Sequence, residues 1–265
     1  MDKATLGGIV VALLGIIGGM TIEGGKLAQI LQPTAAMIVF GGTLGAVMIA
    51  YPLPVVMDSF KRLRQVLFET GIDPEGLIKE MLGYAQKARK EGIVALDNEL
   101  ENIQNPFLKK SLMLAIDGTE PQELRKMMEL EMDNQSEQEE RVPQVYEAAG
   151  GFAPTIGIIG AVLGLIQVMQ HLNDIAEVGR GIAVAFVATI YGVASANIFF
   201  LPVAGKLKIR NRREDMIREM ILEGVISILE GLNPRMVETK LRGFLAESKE
   251  KEKAKEKAEE LEHAR

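Results

Sequence analysis

Four long stretches of this chain contain no Asp, Glu, Lys or Arg, and that segregation of charge constrains the fold more than any other feature. They run from Ala4 to Ile22, from Leu27 to Met57, from Ala148 to Asn173, and from Gly181 to Gly205. Each is close to or longer than the roughly 20 residues that an α-helix needs to cross about 30 Å of hydrocarbon. The averages, 48% hydrophobic and 25% charged with a net charge of -6, would suit a soluble protein, but they conceal this pattern. In Leu27–Met57 the prolines Pro33, Pro52 and Pro54 lie near the ends, which leaves room for one span rather than two short ones. The first stretch exceeds the usual apolar core of a signal peptide, about 7–15 residues, and no Ala-x-Ala-like site follows Met20. It is read as a retained anchor.

Basic residues set the expected orientation. The loop between the first two stretches carries only Lys26, and the one before the fourth only Arg180. Lys61, Arg62 and Arg64 follow the second stretch, Arg141 precedes the third, and Lys206, Lys208, Arg210, Arg212 and Arg213 follow the fourth. Both termini and the middle of the chain are therefore expected in the cytoplasm. The domains predicted are 1–57 (spans one and two), 58–147 (a cytoplasmic helical domain), 148–204 (spans three and four) and 205–265 (a helical extension with a charged tail).

The middle segment reads as helical. Asp73-Pro74 is a helix start, and Leu77, Ile78, Met81, Leu82, Ala85 and Ala88 recur at helical spacing. Gly92 and Asn105-Pro106 are interruptions. Thr119-Glu120-Pro121 opens a charged helix expected to reach about Arg141, with Leu124, Met127, Met128 and Leu130 on its apolar side. After Gly205, Met216, Ile217, Met220, Ile221, Val225, Ile228 and Leu229 continue the fourth span as a helix to Asn233-Pro234. The Lys/Glu/Ala tail from Glu247 is a solvated helix or a disordered segment. No strand pattern occurs, so the fold class is an all-α membrane protein: four transmembrane helices with a helical domain between the second and third.

Small residues mark the spans. Gly15–Gly19, Gly41–Gly45 and Gly160–Gly164 are GxxxG pairs, and Ala188–Gly192 is a related small-residue pair. In lipid, such faces let helices approach closely, within a bundle or between subunits. Gly157, Ala161 and Gly164 share one face of the third span with Pro154, and Ala185, Thr189, Gly192 and Ala196 share one face of the fourth. These two smooth faces could hold another helix closely and leave room for water. Thr189 could equally bond its own i−4 carbonyl.

No span carries Asp, Glu, Lys or Arg, although proton relays normally place an ionisable group inside the membrane. If this chain conducts ions, a partner must supply the carboxylate. His171, near one end of the third span, is either an interfacial residue or a proton acceptor at the mouth of a path. There is no cysteine, and no His or carboxylate cluster has catalytic or metal-ligand spacing; His263 is isolated. Neither an enzyme nor a cofactor is expected, and nothing suggests nucleic acid.

The order of two spans, a large helical domain and two spans resembles the MotA/PomA family of flagellar stator subunits. Ala153-Pro154-Thr155-x-Gly157-x-x-Gly160-Ala161-x-x-Gly164-Leu165 resembles that family's third-span signature, and Ala188-Thr189-x-Tyr191-Gly192 followed by Pro202 its fourth-span signature. The resemblance implies a pentameric ring around a dimer of a MotB-type protein, which brings one membrane helix with an essential Asp, in the bacterial inner membrane. It implies that Thr189, Ala161 and Thr155 line the ion path and that Pro154 and Pro202 couple it to conformational change. Ala at position 161, where sodium-driven members carry Thr, favours protons over sodium. Arg89, Lys90, Asp97 and Glu99 match the charges that meet the rotor protein FliG, although the same pattern suits a solvated helix face. Asn98 departs from the doubly acidic pattern of some members. The competing readings are an ExbB/TolQ-type energiser, which usually has three spans, and a solute transporter, which would normally show internal repeats.

Overall fold

A computed structural model describes residues 3–67 and 73–245. The charged tail from Glu247, with His263, lies outside these residues. Every regular element among them is helical. They divide into two compact units, one combining 3–67 with 138–210, the other 73–137 with 211–245.

In the first unit, α1 (Lys3–Ile22) is followed by a short turn of helix, α2 (Leu27–Ile30). The second span is α3 (Pro33–Ala36), a π-turn (Met37–Gly41) and α4 (Gly42–Ala50). Tyr51-Pro52 breaks it, and α5 (Leu53–Leu67) begins. The third span belongs to a helix far longer than its apolar part, α8 (Pro121–Gln170). The sequence places the end of that helix near Arg141, whereas the structure continues it without a break across Pro143 and Pro154. Each proline removes one ladder hydrogen bond, but α-helical winding persists on both sides. The fourth span is α9 (Ile175–Ala194), a π-turn (Ser195–Phe200) and the start of α10 (Leu201–Leu229). Among the described residues, four helices are long and apolar enough to cross a membrane.

Three clusters hold this unit together. Ala35 and Val39 of the second span meet Val184, Val187 and Ala188 of the fourth. Val47 and Val56 meet Val145 and Ala149 of α8. Val66 joins Val142, Tyr146, Val203, Ala204 and Leu207. None of the apolar window of the first span is buried. A Cβ added at Gly15, Gly19, Gly41 or Gly45 would meet nothing within 4 Å, so those two GxxxG faces are open in the single chain.

The second unit is a helical domain with its own core. Asp73 caps α6 (Pro74–Glu91) by accepting the Glu75 N–H at 3.1 Å, and Asn105 caps α7 (Pro106–Ile116) by accepting two N–H groups. Leu77, Ile78, Met81 and Ala85 of α6, Leu108 and Leu112 of α7, Leu124 and Met128 of α8, and the Ile217–Ile228 face of α10 form one core with Val237 and Leu241. Met127 and Leu130, expected on the apolar side of α8, are exposed. The helix gives the core only one narrow stripe, and Leu124 with Met128, four residues or about one turn later, takes it.

Glu223 of α10 ties this domain together. It accepts hydrogen bonds from Arg125 and Lys240, both at 2.7 Å. Partial burial opposes its ionisation, but the bonds from Lys240 and Arg125 outweigh that and hold its carboxyl below the ordinary range. A carboxyl depressed in the native state stabilises fully above its unfolded value, and the stabilisation is lost as pH falls through the native value. Glu223→Gln should therefore cost about 1 kcal/mol at neutral pH, the solvent around Arg125 screening the pair. The difference from the unsubstituted chain should close on acidification, as read by circular dichroism melts.

Candidate functional site

The site in the membrane unit is built from glycine. Along the third span, a Cβ at Gly157 would lie 2.9 Å from the Ala188 carbonyl oxygen, one at Gly160 2.7 Å from the Ala188 Cβ, and one at Gly164 2.7 Å from the Gly181 carbonyl oxygen. From the other side, a Cβ at Gly192 would lie 2.5 Å from the Ala153 oxygen and 3.1 Å from the Pro154 Cα. The two small faces read from the sequence are thus pressed largely against each other within one chain. Glycines cluster there because only they let two backbones come this close. What the pattern alone could not reveal is that the helix held by each face is the other one.

At the edge of this seam, Ala161 and Thr189 are both half-buried. The Thr189 hydroxyl donates to the Ala185 carbonyl at 3.2 Å, the i−4 bond considered above, and the long distance makes it a weak one. Thr155 is exposed and donates to the Phe152 carbonyl at 2.8 Å. Pro154, half-buried, sits against Gly192. Its missing N–H leaves the Gly150 carbonyl without the usual helical partner. Pro202 is exposed and lies two residues after the π-turn Ser195–Phe200. A proline ring crowds the carbonyl four residues back, here Ile198, and wider π winding gives that carbonyl room.

Tyr191 is a residue the sequence reading did not single out. Its hydroxyl donates to the Ile30 carbonyl at 2.5 Å and accepts the Gln32 N–H at 3.2 Å, while its ring stacks on Phe40 with centroids 5.9 Å apart. It thereby satisfies two backbone groups left open where α2 gives way to α3. An unpaired backbone group in an apolar setting is costly, and an aromatic ring with a polar tip suits such a place. Its presence inside the fourth-span signature was the available signal.

The charged positions of the second unit lie on two elements rather than on one helix face. Gly92, at φ 87° and ψ 160°, ends α6, and residues Ile93–Glu99 form a 3₁₀ turn. Few residues other than glycine adopt that conformation. Leu96 anchors the turn in the core. Arg89 and Lys90, at the end of α6, and Asp97, on the turn, are exposed and make no ion pair among the described residues. Glu99 is half-buried and accepts from Lys87 at 2.6 Å. Lys87 was not among the positions singled out in the sequence. Nearby, Tyr84 donates to Glu80 at 2.7 Å, and burial together with that carboxylate pushes the phenol up. Among the described residues no group of His and carboxylates could hold a metal ion.

A chain with four apolar helices, a glycine seam between two of them and a separate charged helical domain is a multi-pass membrane protein. Two family models match it: the Motility protein A N-terminal model over residues 6–92 and the MotA/TolQ/ExbB proton channel family over 99–220. The chain belongs to the MotA/PomA family of flagellar motor stator subunits within that broader family. It is 36% identical to Motility protein A of Bacillus subtilis over 247 residues, which is 92% of this chain and 91% of that protein. It is 31% identical to the chemotaxis protein PomA of Vibrio alginolyticus, covering 94% of this chain and 97% of PomA. A solved flagellar MotAB stator complex from Bacillus subtilis contains a chain that matches with TM-score 0.85 at 34% identity, over 91% of this chain and 96% of that one.

Proposed function

We propose that this chain conducts protons inward across the bacterial inner membrane and turns their flow into torque on the flagellar rotor. Its partner is a MotB-type single-span protein, five copies of this chain forming a ring around a dimer of that partner. Both termini, the 58–147 segment and the chain after 205 lie in the cytoplasm, as the basic residues demand. The observation that carries this reading is the absence of Asp, Glu, Lys and Arg from the four apolar stretches 4–22, 27–57, 148–173 and 181–205 of a chain in a proton-channel family. The essential carboxylate therefore comes from outside the chain.

In this mechanism a proton neutralises the partner's Asp beside Ala161, Thr155 and Thr189. Neutralisation removes the cost of holding a charge against apolar surroundings, so the partner's helix favours a new register and the ring advances. Pro154 and Pro202 provide the helix positions where hydrogen bonds are already missing and bending costs least. The Arg89, Lys90, Asp97 and Glu99 region then pushes on FliG. Each charge crossing the membrane contributes about 2.3 kcal/mol per 100 mV, so several must pass for a useful stroke. Alanine at 161 supports protons over sodium.

Deleting the gene tests the reading as a whole. Cells that keep their filaments but cannot swim, and recover with the gene restored, support it. Swimming that persists with no other stator gene present would turn the assignment towards an ExbB-like energiser. Thr189→Val tests the path. The substitution keeps the side-chain shape and removes the hydroxyl, so the chain should still assemble while swimming speed falls several-fold; unchanged swimming would remove Thr189 from the path.

A further inference from the structure

Several ion pairs in the second unit join residues three or four apart on one helix, as Lys126 with Glu123 and Arg242 with Glu238 do. Lys87 and Glu99 are different: twelve residues separate them, and the pair crosses from α6 to the 3₁₀ turn. The Lys87 Nζ donates to a Glu99 carboxylate oxygen at 2.6 Å, and the two side chains are 29% and 34% exposed. A short charge-assisted bond between two partly covered side chains is screened less than a pair on the open surface.

The helix gives its cations different directions. Glu80, Tyr84 and Lys87 fall within about 60° of one another on α6, whereas Arg89 projects about 160° away from Lys87. Glu80 takes the Tyr84 hydroxyl at 2.7 Å, and Lys87 reaches the turn instead. Within the turn, Leu96 is buried in the core and Leu100 packs against the same core. Asp97 and Asn98, between Leu96 and Glu99, are exposed. Resting on the reading that Arg89, Lys90 and Asp97 meet the rotor, we propose that Lys87 and Glu99 are a positioning pair. They clamp the end of the turn onto α6 and so set where Asp97 stands relative to Arg89 and Lys90. Glu99, occupied by Lys87, does not itself touch the rotor. With Leu96 holding the chain on one side of Asp97 and Glu99 on the other, the carboxylate is presented at a fixed place.

Swimming speed would be measured in cells carrying the full chain, with membrane protein level beside it. Lys87→Glu and Glu99→Lys each place like charges together, and each should slow swimming about twofold or more at unchanged protein level. Combining them restores an attractive pair in the opposite sense and should return speed to near normal. Residues that met the rotor directly would present two wrong charges in the double exchange, so a double variant as slow as the singles overturns the proposal. Loss of membrane protein in the single variants would make the pair a folding contact and overturn it too. Dependence on Asp97 separates positioning from a purely structural role. Asp97→Asn should slow swimming by itself, and adding Lys87→Glu should cost nothing further, because no carboxylate is left to position. A further loss in that background would overturn the clamp. Speed lowered by Asp97→Asn and untouched by Lys87→Glu would overturn the clamp alone and leave the rotor reading standing. Speed untouched by either would overturn both.

Discussion

Gly192→Val should abolish swimming and leave little correctly assembled protein in the membrane. A Cβ at this position would stand 2.5 Å from the Ala153 carbonyl oxygen and 3.1 Å from the Pro154 Cα. Both obstacles are backbone atoms, so no side chain can turn aside and the third and fourth spans must separate. Separation at one point loosens the whole seam, because a Cβ at Gly157 or Gly164 would also lie within 3 Å of a backbone oxygen along it. Overpacking alone costs about 1–3 kcal/mol, and the lost dispersion contacts add to it. Gly205→Val is the matched control, since nothing lies within 4 Å of a Cβ there. Membrane protein level and gel-filtration profile would be measured beside swimming speed. A Gly192→Val chain that assembles and swims normally would show that the close seam is not the working arrangement.

The double substitution Arg89→Glu with Lys90→Glu should cut swimming speed about tenfold or more while the chain folds and assembles as before. The two cations are exposed and make no ion pair among the described residues, and exposed charges contribute little to stability, about 0–1 kcal/mol. A loss of swimming with an unchanged melting curve would therefore report the contact with the rotor. Charge reversal also changes the sign of a steering field, a larger effect than simple removal. Glu99 behaves differently under the same treatment. Its pairing with Lys87 at 2.6 Å means that Glu99→Lys places two cations together and disturbs the turn itself. If the Arg89/Lys90 double variant swims at normal speed, these residues are a solvated surface and the rotor contact lies elsewhere.

The sequence by itself determined the fold class, an all-helical chain with four helices apolar enough to span a membrane. The reason is local: about 20 uncharged residues suit a bilayer, and within it a chain bonds its own backbone most simply as a helix. The Asp73 cap was legible for the same reason, since its side chain acts within two residues of itself, whereas Asn105, read only as an interruption, proves in the structure to cap the helix that follows it. The candidate positions Ala161, Thr189, Pro154 and Pro202 were legible through a resemblance of pattern, and Arg89, Lys90, Asp97 and Glu99 likewise. Only the tertiary structure decided what meets what. It pressed the small face of the third span onto that of the fourth and left Gly15, Gly19, Gly41 and Gly45 open, although all of these glycines look alike in sequence. It carried α8 through two prolines, moved Asp97 and Glu99 off the α6 helix at Gly92, gave Glu99 to Lys87, and set Tyr191 on a backbone break about 160 residues away. Spacing along a chain specifies which residues share a face; which partner covers that face depends on contacts between distant segments, and those exist only once the chain is folded.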